Sequence, residues 1–412
     1  MEQPTNEVGA ADFELEHIRQ VVAQHMSVED VTQGGPRQEF VIRFRGQLMT
    51  PSEKAYDVLE PVFRQQGMTL FFRVEQGRHV VVGVPGVIEP EPSNPLVNLA
   101  LFVFTLLSVI LAGALYANIN LYGQEVANFG IDSVAEFFDL FLGGIPFAAA
   151  LLAILLAHEF GHYLAGRYHK TAVTLPYFLP FPGTILGTLG AFIRMKEPPK
   201  NRRVLMDIGL AGPLAGFVVA VPILFIGLTL SKMTQLPINV QGAGISLEGN
   251  SLLYLLAKLI TKGELLPAPM SYGGASPILY WVRYFFLGSP IPFGGQDVLV
   301  HPLAWAGWAG LLVTALNLIP AGQLDGGHLI YVLLGDRVKR LWLVIVAMLV
   351  ALGFVWTGWW IWAALIFFLG RNHAQTLDAI TPLDDKRKAL AILGLIIFVI
   401  TFTPVPLIAL VG

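Results

Sequence analysis

Two kinds of periodicity divide the chain. Over roughly the first ninety residues, apolar positions recur on short scales. FVIRFRGQL at 40–48 alternates in twos like a strand, and SEKAYDVLEPVFRQQG at 52–67 has helical spacing ended by a glycine. TLFFRVEQ and HVVVGV, at 69–76 and 79–84, form a hairpin pattern. These elements predict a small α/β domain over residues 1–92, and the proline-rich VPGVIEPEPSNP at 84–95 links it to the remainder of the chain. From residue 96 the pattern changes to long apolar runs: Leu96 to Tyr116, Phe137 to Ala165, Val204 to Leu230, Leu303 to Leu334, Leu341 to Leu369 and Ala389 to Leu410. A bilayer needs about 20 apolar residues in a helix, so these are spanning segments. The fourth is interrupted by LNLIPAGQLDGGHLIY at 316–331; the fifth is too long for one untilted helix and short for two, with Gly358 as a candidate break. The fold class is therefore a polytopic α-helical membrane protein of six or seven spans over residues 96–412.

Thr174 to Met195 breaks the helical rule. TLPYFLPFPGTILGTLGAFIRM is apolar enough to enter the membrane but carries Pro176, Pro180 and Pro182, then Gly183, Gly187 and Gly190. It predicts a re-entrant, β-hairpin-like segment. Ile185 to Arg194 forms an arm whose free edge, at Gly190, Ala191 and Phe192, pairs with an extended substrate; a plug that merely fills the bundle is the alternative.

Composition supports the membrane class: 54% of residues are hydrophobic and 13% charged, with a mean hydropathy of +0.62. The net charge of −3 lacks the basic footprint of nucleic-acid binding. With no cysteine, a metal site must use His and carboxylate ligands. Arg167, Lys170, Arg194, Lys196, Lys200, Arg202 and Arg203 cluster after the second span, whereas the loop from Ala117 to Glu136 has acids and no Lys or Arg. The positive-inside rule then places the basic loop, the N-terminal domain and the active-site opening on the cytoplasmic side. The first residues show neither a signal-peptide core nor a transit pattern, which points to a bacterial inner or plasma membrane.

Candidate chemistry sits where charge is most costly. His158, Glu159 and His162 lie in the apolar LLAILLAHEFGHYLAGRY at 151–168. One turn apart, the two imidazoles share a helix face and can point at one cation, with the Glu159 carboxylate beside it as base for a water. A buried polar cluster without chemistry is the alternative, disfavoured because intramembrane charges are costly. A catalytic zinc takes three protein ligands, so an Asp, Glu or His at the same depth must join. Asp325, flanked by Gly326 and Gly327 in a broken apolar segment, is the best candidate; Asp207 competes but sits by the basic loop, where an ion pair is the simpler account. Asn317 is placed either to bind a substrate carbonyl or to hold open backbone carbonyls. His328 is assigned a local structural role, and His169 and His301 interfacial positions. Gly212 and Gly216 of GPLAG mark close helix packing without chemistry.

In that order, HEFGH (158–162), GPLAG (212–216) and NLIPAGQLDGG (317–327) resemble the site-2 protease family of intramembrane zinc metallopeptidases, with a core at about 140–335. The stretch 171–203 and the N-terminal domain resemble its cyanobacterial and plant-chloroplast branch. The resemblance implies one Zn²⁺ held by His158, His162 and Asp325, Glu159 as catalytic base, transmembrane proteins as substrates and the lipid bilayer as surroundings. Gly322 stands where many relatives have the second proline of NxxPxPxLDG, a departure that leaves Asp325 intact. A metal transporter and a catalytically silent scaffold are the rival functions; polar residues gathered towards one membrane face argue against the first and an intact Glu159 against the second.

Overall fold

The computed structural model describes residues 7–35, 37–122, 134–238, 245–274, 276–370 and 375–410. The loop assigned to the far side of the membrane falls mostly on 123–133, outside the described residues.

Helix α1 (Glu7–His25) leads into β1 (Met26–Gln33), β2 (Ile42–Leu48), α2 (Ser52–Gln65), β3 (Met68–Glu75) and β4 (Arg78–Pro85). The strands make one antiparallel sheet in the order β1-β2-β4-β3. Alternation gives the sheet its buried face: Ile42, Phe44, Leu70, Phe72 and Val81 pack with Leu59 and Phe63 of α2 and Ile18 and Val22 of α1. The free edge of β3 is covered from far along the chain. Phe72 N–H donates to Leu377 O (2.9 Å) and Ala379 N–H to Phe72 O (3.1 Å), while Leu377 and Asp378 N–H donate to Pro199 and Lys200 O. Ion pairs Arg203–Glu53 (2.9 Å) and Lys200–Asp57 (2.5 Å) fasten the same junction.

The remaining chain runs α3 (Pro95–Tyr122), α4 (Val134–Gly143), α5 (Ile145–Tyr168), β5 (Tyr177–Pro180), β6 (Thr188–Phe192), α6 (Arg202–Leu230), β7 (Lys232–Gln235), β8 (Ile245–Glu248), α7 (Leu252–Lys262), α8 (Pro277–Leu287), β9 (Gln296–Leu299), α9 (Pro302–Asn317), α10 (Asp325–Leu334), α11 (Leu341–Gly353), α12 (Gly358–Leu369), α13 (Asp385–Thr401) and β10 (Leu407–Leu410). Among the described residues three helices are long and apolar enough to cross a membrane: Pro95–Ala117, Phe138–Tyr168 and Arg202–Leu230. Helices α5, α6 and α9 form the centre, with Leu151, Ile154, Leu155, Ala220, Leu224, Ala304 and Trp308 in its core. Small residues let the helices approach: a Cβ on Gly307 would lie 2.6 Å from Leu224 Cα, and one on Gly161 2.5 Å from Ala211 O.

The structure resolves one open point and changes one expectation. The run 341–369, left open between one helix and two, is two short helices that turn at Phe354–Thr357, just before the candidate break at Gly358. The expected final span from Ala389 to Leu410 stops at Thr401, and Leu407–Leu410 instead pairs with β8 as a strand. The connection at 231–302 contains two helices, α7 and α8, and a two-stranded sheet of β7 and β9. The interruption of the fourth segment is found as expected, between α9 and α10.

Candidate metal centre

His158 and His162 project from α5 one turn apart, and both are buried, 3% and 6% exposed. Their Nε2 atoms stand 3.2 Å apart, and Asp325 Oδ2 lies 3.4 Å from the first and 3.3 Å from the second. Ligand-capable atoms of all three fall within 4.8 Å of one another, the spacing a single cation would bridge. His162 Nδ1–H donates to Ile208 O at 2.7 Å, which fixes the tautomer and leaves Nε2 for the metal. Asp325 is the first residue of α10, where unpaired N–H groups and the helix dipole favour a carboxylate.

Glu159, 3% exposed, leaves Oε2 buried without a hydrogen-bond partner. An unpaired buried carboxylate oxygen is costly in a finished protein core and fits a site that receives a water or a cation. It faces a cavity of about 570 Å³, shared with His158, His162, Asp325, Asn317 and the chain from Ala191 to Met195. Two imidazoles, one carboxylate and an adjacent free carboxylate are the donor set of a catalytic zinc site, so the residues fit the metal.

Glycine builds the room. A Cβ on Gly212 would sit 2.1 Å from His162 Nε2, and one on Gly216 3.2 Å from His158 Nδ1. The GPLAG motif is therefore packing, as expected, but the partner it admits is the pair of imidazoles. Gly322 has φ +62°, closed to proline, whose ring holds φ near −65°, and a Cβ there would meet Gly370 Cα at 2.6 Å. The departure from the family pattern is thus matched by a left-handed turn against α12's end. A Cβ on Gly326 would lie 2.0 Å from Leu318 O, so the loop before Asp325 folds tightly onto its helix.

The other candidates separate clearly. Asp207 accepts from Arg387 Nε and Nη2 at 2.8 and 2.6 Å and lies 2.9 Å from His169 Nε2, which makes it an ion-pair partner away from the His158–His162 pair. Asn317 Nδ2 is 3.3 Å from His158 Nε2 and reaches the cavity. His301 caps α9, accepting from Leu303 N–H at 3.2 Å. His328, expected to be only structural, lies on the cavity wall and packs over Gly209. Ala191 and Phe192 line the cavity; Gly190 is not among its lining residues, and its N–H donates to Thr188 Oγ1 at 3.0 Å. Ile193, Arg194 and Met195, which end the Thr174–Met195 segment, share the wall beyond the three positions assigned to the pairing edge.

The model of peptidase family M50 matches residues 146–355. The chain is similar to the probable zinc metalloprotease EGY1, chloroplastic, of Arabidopsis thaliana, 30% identical over 347 residues, covering 77% of this chain and 55% of that protein. It is 28% identical over 368 residues to EGY2 of the same plant, also named a probable chloroplastic zinc metalloprotease, covering 88% of this chain and 59% of the relative. The rice EGY1 (Oryza sativa subsp. japonica) is 30% identical over 253 residues, 59% of this chain and 39% of its own length. The chain spans about half the length of the curated relatives it matches. No solved structure matches it significantly.

Proposed function

The chain belongs to peptidase family M50, the site-2 protease family, and from that premise we propose that it is an intramembrane zinc metalloprotease cutting peptide bonds in or near transmembrane segments of other proteins. One observation carries the reading: two buried imidazoles and Asp325 converge beside an unpartnered Glu159 oxygen on a cavity within apolar helices. His158, His162 and Asp325 would hold the metal. When bound, zinc supplies Lewis acidity, polarising a carbonyl and making a water easier to deprotonate. Glu159 takes that proton and returns it to the leaving amine. Asn317 directs its amide to the substrate carbonyl.

A helical substrate hides its carbonyls, so it must unwind, and an extended segment needs partners for its exposed main chain. The extended chain from β6 through Met195 supplies them. Val173 pairs with Met195, flanked by Thr174 N–H to Arg194 O (3.0 Å) and Lys196 N–H to Ala172 O (2.8 Å). That turns the main chain of Arg194 toward β5 and that of Met195 away. By alternation Ile193 and Ala191 also turn outward, while Phe192 turns inward opposite Tyr177. Ala191 therefore offers the pairing edge, Phe192 contributes its ring at the cavity wall, and Gly190 shapes the strand with φ +101°.

For topology we place the basic loop, residues 1–92 as a domain, and the cavity mouth on the cytoplasmic side, with seven crossings: α3, α5, α6, α9 with α10, α11, α12 and α13. Supporting the α11–α12 pair, Trp356 at its tip packs in the cluster of Tyr280, Leu247 and Ile408, while Gly370 at its end meets Gly322 near the metal centre. Purified protein should contain one zinc per chain and cleave a single-span membrane protein in a zinc-dependent manner. Zinc-loaded protein that leaves a panel of such substrates intact would remove the proposal. Reporter fusions placing Lys196 and residues 1–92 opposite the cytoplasm would overturn the orientation.

A further inference from the structure

Helix α3 lies outside the residues matched by the family model, yet along one of its faces it grips the β-hairpin at three successive levels. At the first, Asn98, 6% exposed in an apolar helix, gives both amide hydrogens to main-chain carbonyls: Leu175 O at 3.0 Å and Pro176 O at 2.9 Å. One turn on, the Phe102 ring meets Phe178 of β5 edge to face, with centroids 5.1 Å apart. At the third, the buried Ser108 hydroxyl donates to Gly187 O at 2.5 Å, at the hairpin's tip.

The approach at the tip is as close as backbone allows. Gly187 has φ +73°, and a Cβ on it would lie 2.5 Å from Ser108 O and 2.7 Å from Val109 Cα. From residue 98 to 108 a helix rises about 15 Å, so the hairpin is laid along α3 over that depth. Ser108 adds a second donor to Gly187 O, which also accepts from Phe181 N–H at 3.1 Å, while Asn98 satisfies the Leu175 and Pro176 carbonyls that precede β5. In an apolar surrounding such carbonyls have few other partners. Beyond the tip the chain returns through β6 to the cavity wall at Ala191 to Met195.

We propose that Asn98 and Ser108 are positioning residues for proteolysis: by fixing the hairpin to α3 at both ends of β5, they set the depth and register at which the Ala191 edge meets an unwound substrate. The inference rests on the pairing reading of that edge. Neither residue reaches the metal centre, so their effect passes through the strand alone.

The test uses the full-length, zinc-loaded chain in nanodiscs. The probe is a single-span protein whose helix of leucines and alanines is interrupted by Gly-Pro. Asn98→Ala combined with Ser108→Ala should raise KM about tenfold, the signature of lost substrate binding, with kcat within about twofold and zinc content unchanged. Ser108→Thr, which keeps the hydroxyl, should behave as the parent. Adding the pair to Ala191→Pro should cause no further loss, because both act through one strand. The chain has no cysteine, so spin labels at Phe104→Cys and Leu189→Cys, both sites exposed, report the hairpin's distance from α3 directly. The distance distribution should broaden in the double variant. A parental KM, or a distribution as narrow as the parent's, would overturn the inference while leaving edge pairing standing, provided Ala191→Pro alone is impaired. If Ala191→Pro alone cleaves at the parental rate, edge pairing fails and this inference fails with it.

Discussion

At the candidate metal centre His158, His162 and Asp325 converge on a cavity, and a neighbouring carboxylate oxygen is left unpaired. Between α6 and α9 a second buried cluster converges instead on a side chain of the protein. Lys258, wholly buried, lies 3.0 Å from Glu248 Oε1 and 3.4 Å from Asp297 Oδ1, its ammonium 4.4 Å from the centre of the Tyr254 ring. Tyr254 Oη–H donates to Glu248 at 2.9 Å, and Lys258 also reaches Leu266 O. Burial works against the charge on Lys258, but Asp297 and then Glu248 outweigh it and hold its pKa above the ordinary lysine value. Both clusters put charge where water is scarce. The second carries its own cation and has the closed geometry of a structural bridge; the first presents ligands and an open side, the geometry of a site completed from outside.

That contrast is broken most severely at Glu159. Glu159→Gln should lower cleavage at least about 100-fold, the lower range for loss of a general base, with zinc content kept. Undiminished hydrolysis by this variant would show that the unpaired oxygen is not the base. Asp325→Ala should lower zinc stoichiometry, measured by metal analysis, whereas Asp207→Ala should retain the metal, since its oxygens are engaged by Arg387 and His169. The reverse pattern would transfer the third ligand to Asp207.

The opposite cluster should answer in stability rather than in metal. Lys258→Met leaves two buried carboxylates without their cation, and breaking such a pair costs roughly 3–5 kcal/mol. Thermal unfolding should shift down while zinc per folded chain stays at the parental level. A variant that lost zinc but not stability would mean that the two clusters are not distinct in kind.

Sequence made the first cluster legible and hid the second for one physical reason. His158 and His162 are one helical turn apart, so their shared face can be read from spacing, and their setting in an apolar run made charge conspicuous. Glu248, Lys258 and Asp297 come from β8, α7 and β9, elements of a weakly charged connection with no pattern to announce that they meet. The proposed third ligand is intermediate: Asp325 stands out through its apolar, glycine-flanked surroundings, but its distance to α5 is a tertiary fact. The short legs α11 and α12 were ambiguous because apolar length alone does not separate one tilted helix from a tight pair. Helix α1 escaped notice because polar residues interrupt its apolar face, and β10 because a strand placed after an apolar helix continues the same composition.

The smallest expected effect is a pH dependence that belongs to the second cluster alone. Burial pushes Asp297 up from 3.8 to about 6; Lys258 opposes the rise and Glu248 adds to it. An acid whose folded pKa exceeds its unfolded one binds more protons when folded, so its contribution to stability is most favourable at low pH and declines as pH rises from about 4 to about 6. Unfolding midpoints of this region, followed by hydrogen exchange at the amides of β9 and α7, should therefore fall as pH rises through that window. Asp297→Asn cannot ionise and should flatten this component of the profile. It keeps the volume of the side chain but weakens the bond to Lys258, so its midpoint at pH 7 is set by two opposing changes, and only the slope is diagnostic. An unchanged slope in the Asn variant would show that Asp297 stays charged across the range and that Lys258 balances both carboxylates fully.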